Sequence, residues 1–223
     1  MEVCLADGKP VYVVVILLSS ALCWWIYVPV HELLHALGCI MGGGSVQRLE
    51  ISGIYGAAVL KKAFPFVSVG SDYAGRLSGF NTRGSDITFL ITDFLPYFLT
   101  IIVGIPLLRS VATMKSSALI KSICLGVAAP LAYAPFMSVF GDYYEMGSIL
   151  ITQLVSSGAP GLSPERWRSD DLFRLIHSLW SSGAPHGLDA AIVTSSFFAG
   201  AILIFMTYWA GALFSRITSS GKN

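Results

Sequence analysis

Charge is what this chain most lacks. Its 223 residues include 14 Lys and Arg and 13 Asp and Glu, 12% in all, where a soluble domain carries roughly a quarter. That is too little to solvate the surface of a soluble protein of this size. The two signs nearly cancel, to a net charge of +1, so there is no basic field for nucleic acid. Cysteine is sparse as well. Cys4, Cys23, Cys39 and Cys124 are scattered, which excludes a disulfide framework and a C-x-x-C metal ribbon. They read as small apolar residues. Internal repeats and low-complexity segments are also missing. What is present is apolar: 54% of residues are hydrophobic and the mean hydropathy is +0.70. A membrane span needs about 20 mostly apolar residues, so residues 1–223 read as a single polytopic membrane domain in contact with the lipid bilayer.

The pattern predicts an all-α membrane protein with four transmembrane helices, over about 11–41, 87–108, 123–154 and 188–214. The opening "MEVCLADGKP" has one lysine, two acids and no obvious A-x-A cleavage pattern behind it. The run Val11 to Val30 therefore reads as a retained first span rather than a signal peptide. Gly42 to Gly44 end that span, as glycine does at helix C-termini. The polar stretch 45–85 is β-branched and aromatic, broken by glycines, and predicts a small β element at the membrane surface. Pro130, Pro135 and the acids Asp142 and Glu145 interrupt the third span. An amphipathic surface helix is expected over 164–182, with Ser163 as N-cap and Gly183 as its end. Leu172, Leu175, Ile176 and Leu179 form its apolar face.

Four spans put the N-terminus, the 109–121 link and the C-terminus on one side. These short segments carry Lys9, Arg109, Lys115, Lys121, Arg216 and Lys222. The other two loops mix basic residues with acids. The positive-inside rule then favours cytoplasmic termini, in a multi-pass protein of the cell (inner) membrane.

Against this apolar background stands "VPVHELLHALG", residues 28–38. His31-Glu32-Leu33-Leu34-His35 is an H-E-x-x-H motif. Positions four apart share a helix face, so His31 and His35 can grip one Zn2+ while Glu32 reaches a metal-bound water. Zinc would acidify that water and polarise a carbonyl. Glu32 would act as general base and then general acid. Ionisable residues inside a span are costly, and they are retained mostly for function. The bland alternative is a satisfied polar patch between helices.

Two histidines do not close a zinc site. Cys39 continues the i, i+4 series but lies about 12 Å from His31 along a helix rising about 1.5 Å per residue, too far to share a metal. The remaining candidates are Asp142, Glu145, Asp93, His177 and His186. His31 and Asp142 each lie about 20 residues into spans that run the same way, so they share a depth. Asp142 is the favoured third ligand, with Gly141 leaving room beside it, and Glu145, one turn on, is the runner-up. Asp93 reads either as a group orienting a histidine N–H or as a polar tie between helices. Gly141 and Tyr143 join it as residues that support the ligands or touch substrate. His177 reads as an interfacial residue of the amphipathic helix, and His186 as a loop residue.

With "VHELLHALG" at the end of an early span, "GGGSVQRLEISG" behind it and "FGDYYEMGS" on a later one, the chain resembles the site-2 protease family of intramembrane zinc metalloproteases. The likeness covers about residues 11–154, and H-E-x-x-H is its specific part. It implies that His31 and His35 ligate zinc, that Glu32 is the catalytic acid/base, and that Asp142 stands where the family's aspartate ligand sits. Here Phe140-Gly141-Asp142-Tyr143 replaces the family's Asn-Pro-Asp-Gly or Leu-Asp-Gly.

The function expected is therefore a zinc-dependent endopeptidase that cuts a membrane-anchored protein substrate in or next to its transmembrane segment. A transmembrane helix must unwind before its carbonyls can be attacked. The β-prone stretch Leu49 to Leu60 is expected to hold the unwound chain as an added strand. The alternative is a non-catalytic metal-binding membrane protein, a carrier or a pseudoprotease that holds client helices. Haem ligation is weaker still, since two histidines on one helix face cannot bind opposite faces of one haem.

Overall fold

The computed structural model describes residues 10–158, 163–181 and 187–220. The first helix, α1, spans Pro10–Met41. It ends where the glycines stand: Gly43 takes φ 89°, and Gly44 N–H donates to the Cys39 carbonyl at 2.8 Å. Its lower half presents Leu17, Leu18 and Leu22 outward, a surface suited to lipid rather than water.

The stretch that follows is a three-stranded sheet. Strands β1 (Ser45–Ile51), β2 (Val67–Val69) and β3 (Gly75–Asn81) are ordered β2-β1-β3. β1 runs parallel to β2 and antiparallel to β3, with Leu49 opposite Val67 and Ser45 opposite Asn81. The parallel step is bridged by a short helix, α2 (Ala57–Ala63). Leu49, Ile51, Ala57 and Val67 close a small core against Ala36 of α1, so the sheet is fixed beside the H-E-x-x-H segment. Leu49 to Ile51 lie in the central strand, Glu50 and Ile51 paired on both sides and Leu49 with Val67. They cannot accept an added strand, contrary to the expectation for Leu49 to Leu60. The free edges belong to β2 and β3.

The second span, Asp86–Thr113, is irregular. Helix α3 (Asp86–Phe94) passes through a 3₁₀ turn at Leu95–Tyr97 and a π turn at Thr100–Gly104 into α4 (Ile105–Thr113). Pro96 and Pro106 each lack an N–H for the α-helical ladder. The third span is broken as well. It comprises α5 (Ala118–Met137) and α6 (Asp142–Gly158), with the break at 138–141. The sequence places the interruption among Pro130, Pro135 and the acids, and the break comes just after Pro135. Ser138 closes it, its hydroxyl accepting from Asp142 N–H at 3.2 Å.

The amphipathic helix is shorter than expected. Pro164–Arg166 form only a 3₁₀ turn, and α7 proper is Leu172–Ser181. The correction has a local cause: the Asp171 carboxylate accepts from Arg174 N–H at 2.9 Å and so caps the helix there instead of Ser163. The predicted end at Gly183 lies outside the described residues. Its apolar face is as predicted: Leu172, Leu175 and Leu179 are buried against Tyr144, Trp167, Ile192 and Val193. The last helix, α8 (Gly187–Ser220), packs along α6. At their crossing a Cβ on Gly147 would strike the Ser196 carbonyl, and one on Gly200 the Tyr143 carbonyl. Small residues let membrane helices approach this closely.

Among the described residues, four segments are thus long and apolar enough to cross a membrane: Pro10–Met41, Asp86–Thr113, Ala118–Ser156 and Gly187–Ser219. The protein is an all-α, multi-pass membrane protein with a small β element after the first span. A core of Tyr27, Tyr97, Leu131, Ala134, Tyr143, Met146 and Ile204 ties the spans together.

Candidate metal centre

The break in the third span is what builds the site. It starts α6 beside His31 and His35 and puts Asp142 in its first turn, where the helix dipole favours a carboxylate. The side chain points at the H-E-x-x-H face of α1. His31 Nε2 and His35 Nε2 lie 3.0 Å apart, and Asp142 Oδ2 lies 3.3 Å from the first and 3.4 Å from the second. A tetrahedral zinc ion with ligands at about 2.0–2.2 Å spaces its ligand atoms about 3.3–3.6 Å apart. Among the described residues, these three form the one group of His, Cys, Asp or Glu with ligand atoms all within 4.8 Å of one another. Glu145 lines the same cavity but is not in that group.

The outer nitrogens of both histidines are held. His35 Nδ1 lies 2.9 Å from the backbone carbonyl of Thr92. A carbonyl only accepts, so Nδ1 carries the hydrogen and a neutral His35 turns the lone pair of Nε2 inward. His31 Nδ1 meets the Tyr27 hydroxyl at 2.9 Å. Tyr97, fully buried, donates its hydroxyl to Asp142 Oδ2. Two imidazole nitrogens and a carboxylate oxygen therefore converge on one point, with the far nitrogens of both histidines anchored and Tyr97 bound to the same Asp142 oxygen that faces them. The donor set fits zinc: imidazole nitrogen and carboxylate oxygen are both accepted ligands.

Glu32 sits next to this group, on the wall of two cavities. The larger, about 540 Å³, is polar and is walled by Asp93, Asp142, Glu145, Arg76, Arg168 and β3, among others. The smaller, about 170 Å³, is lined by Trp24, Tyr27, Val28, Ala134 and Met137, together with His31 and Glu32. The side chain of Glu32 lies against Gly75 of β3, where an added Cβ would overlap it. Arg168 closes one edge of the larger cavity, gripping Asp86 through two bonds of 2.6 and 3.0 Å. Arg76 pairs with Asp170 at 2.8 Å.

The other sequence candidates fall into place around this. Asp93 is buried on the cavity wall but does not orient a histidine; the Thr92 carbonyl does that, because the backbone next to Asp93 is already aimed at His35. Nor does Asp93 tie helices together, as its Oδ2 has no hydrogen-bond partner. Gly141 closes the helix break, with the Asp170 carbonyl 3.3 Å from where a Cβ would stand. Tyr143 turns away from the cavity. It is fully buried, its hydroxyl 2.8 Å from Thr207 and its ring centroid 4.6 Å from that of Tyr97, so it packs against Tyr97 and lies off the cavity wall. Cys39 is buried with its sulfur directed at the Ser45 carbonyl, as a non-ligand should be. His177 is exposed on α7, away from the centre. His186 lies outside the described residues. Tyr27, Tyr97, Gly75 and the two arginines were missed. Tyr27 alone had a signal in the sequence, four residues before His31 on the same helix face.

Comparison with protein-family models, with curated proteins and with solved structures finds no match to this chain.

Proposed function

We propose that the chain is a zinc-dependent membrane endopeptidase of site-2 protease type, cutting a membrane-anchored protein in or next to its transmembrane segment. The supporting observation is the convergence of His31, His35 and Asp142 on one point, with Glu32 beside it at the meeting of a polar and an apolar cavity. Bound among these three residues, zinc would supply Lewis acidity, lowering the pKa of water and polarising a carbonyl. Glu32 takes the proton of the attacking water on its carboxylate and passes it to the departing amine nitrogen. Tyr27, Tyr97 and the Thr92 carbonyl hold the ligand side chains in register throughout. The β3 edge, lining the polar cavity from Gly75 to Phe80, receives the unwound substrate as an added strand, the role first assigned to Leu49 to Leu60.

The membrane is the cell (inner) membrane and the site opens on its non-cytoplasmic side. Arg109, Lys115, Lys121 and Arg216 lie at the span ends and in the short link opposite the sheet, whereas the basic residues of the sheet side are spread over longer loops among acids; basic short segments stay inside.

The deciding experiment is Glu32→Gln in the purified full chain. Zinc content stays at the wild-type level while cleavage of single-span test peptides falls by about 10²–10⁴-fold. Unchanged cleavage overturns the protease reading. Zinc binding with no cleavage by the wild type leaves the carrier or pseudoprotease reading in its place.

A further inference from the structure

The walls of the larger cavity carry five carboxylates, Glu32, Asp93, Asp142, Glu145 and Asp170, against two guanidiniums, Arg76 and Arg168. Both arginines are committed. Arg76 binds Asp170 through Nε and Nη2, and Arg168 holds Asp86 and Thr152. A dication held by Asp142 is balanced by that residue together with Glu32. Asp93 and Glu145 remain. They stand on neighbouring helices, α3 and α6, on the same cavity wall. Asp93 is 4% exposed, and its Oδ2 is buried without any hydrogen-bond partner. An unpartnered carboxylate oxygen at that depth is relieved by a proton or by an arriving complementary cation.

We infer that Asp93 and Glu145 form a subsite for a cationic group of the substrate, a lysine or arginine side chain beside the scissile bond. The two cavities fix where that residue falls. Glu32 borders both, the apolar one among Trp24, Tyr27 and Met137 and the polar one holding the acids. A peptide crossing Glu32 leaves its apolar segment on one side and presents its next residues to Asp93 and Glu145 on the other. The substrate class is therefore a membrane-anchored protein with a basic residue at the boundary of its transmembrane segment. This inference rests on the protease reading for its substrate, but the subsite can be tested without catalysis.

The probes are single-span peptides carrying Lys or its near-isostere Gln at each boundary position. Binding is measured by fluorescence anisotropy on the zinc-loaded Glu32→Gln chain, and cleavage on the wild type. At one boundary position the Lys peptide binds about tenfold tighter than the Gln peptide, the worth of one charge-assisted hydrogen bond. Asp93→Asn and Glu145→Gln each shrink that ratio, and the double variant brings it to about one while keeping wild-type zinc content. A Lys preference in binding with no cleavage by the wild type refutes the protease reading and keeps the subsite. The absence of any Lys preference overturns the subsite, whether both peptides bind equally or neither binds, and whether or not either is cut. A preference that survives in the double variant overturns the assignment to these two residues.

Discussion

At the scale of single residues, the proposed centre leans on groups outside the His31, His35 and Asp142 cluster itself. Tyr97 restrains Asp142 and Tyr27 restrains His31. Outer partners of this kind are worth about 10–100-fold in metal affinity. Tyr97→Phe keeps the buried ring and removes only the hydroxyl. Zinc affinity, read by competition with a chromophoric chelator, should fall by about 10–100-fold with the fold intact. Tyr27→Phe should act in the same direction, and an affinity equal to wild type in both variants would show that the ligands hold themselves. Tyr27 lies one helical turn before His31 and was legible as part of the series 27, 31, 35. Tyr97 was not. It reaches Asp142 across 45 residues, through a 3₁₀ turn that no local pattern specifies.

At the scale of elements, the broken third span and the small sheet do the positioning. An unbroken helix would carry a regular face past α1, whereas the break at 138–141 begins α6 beside His31. Pro130, Pro135 and the acids Asp142 and Glu145 announced an interruption, but not that Ser138 would cap it. The sheet was legible as β-prone composition. Its strand order was not, since which strand is central depends on pairing between 45–51 and 75–81. That pairing also brings Gly75 against Glu32. Gly75→Val should displace Glu32, lowering cleavage by about tenfold or more while leaving zinc content unchanged, because the ligands lie on other residues. At the crossing of α6 and α8, Gly147→Leu should destabilise the folded protein in detergent by about 1–3 kcal/mol, seen as a lower unfolding midpoint. An unshifted midpoint would mean that the two helices part without cost.

At the scale of the whole molecule, the polar cavity lies at the sheet end of the bundle, and the short segments that carry Arg109, Lys115, Lys121 and Arg216 lie at the other. Orientation is checked in cells with a membrane-impermeant maleimide, in a background lacking native cysteines. A cysteine replacing Asp72 near the cavity should label from outside, and one replacing Lys115 should not. The reverse pattern would place the site on the cytoplasmic side. The segment 163–171 is tied across the bundle by Arg168 to Asp86 and by Arg76 to Asp170. Arg168→Met leaves Asp86 without its bidentate partner. It should cost about 1–3 kcal/mol and make the segment more sensitive to added protease.

The sequence by itself determined the solvent and the pairing of His31 with His35 on one helix face. Scarce charge and long apolar runs admit only a membrane-spanning helical chain, and an i, i+4 spacing puts two imidazoles on one helix face whatever surrounds them. Both are local consequences of composition and of 3.6 residues per turn. Tertiary structure decided the rest: that Asp142 rather than Glu145 meets the histidines, that the Thr92 carbonyl rather than the Asp93 carboxylate orients His35, and that β3 rather than β1 offers a free edge. Each of these turns on which of several neighbouring groups faces across a gap between elements. That is fixed by helix breaks, strand pairing and close glycine crossings, which no spacing within one segment can specify.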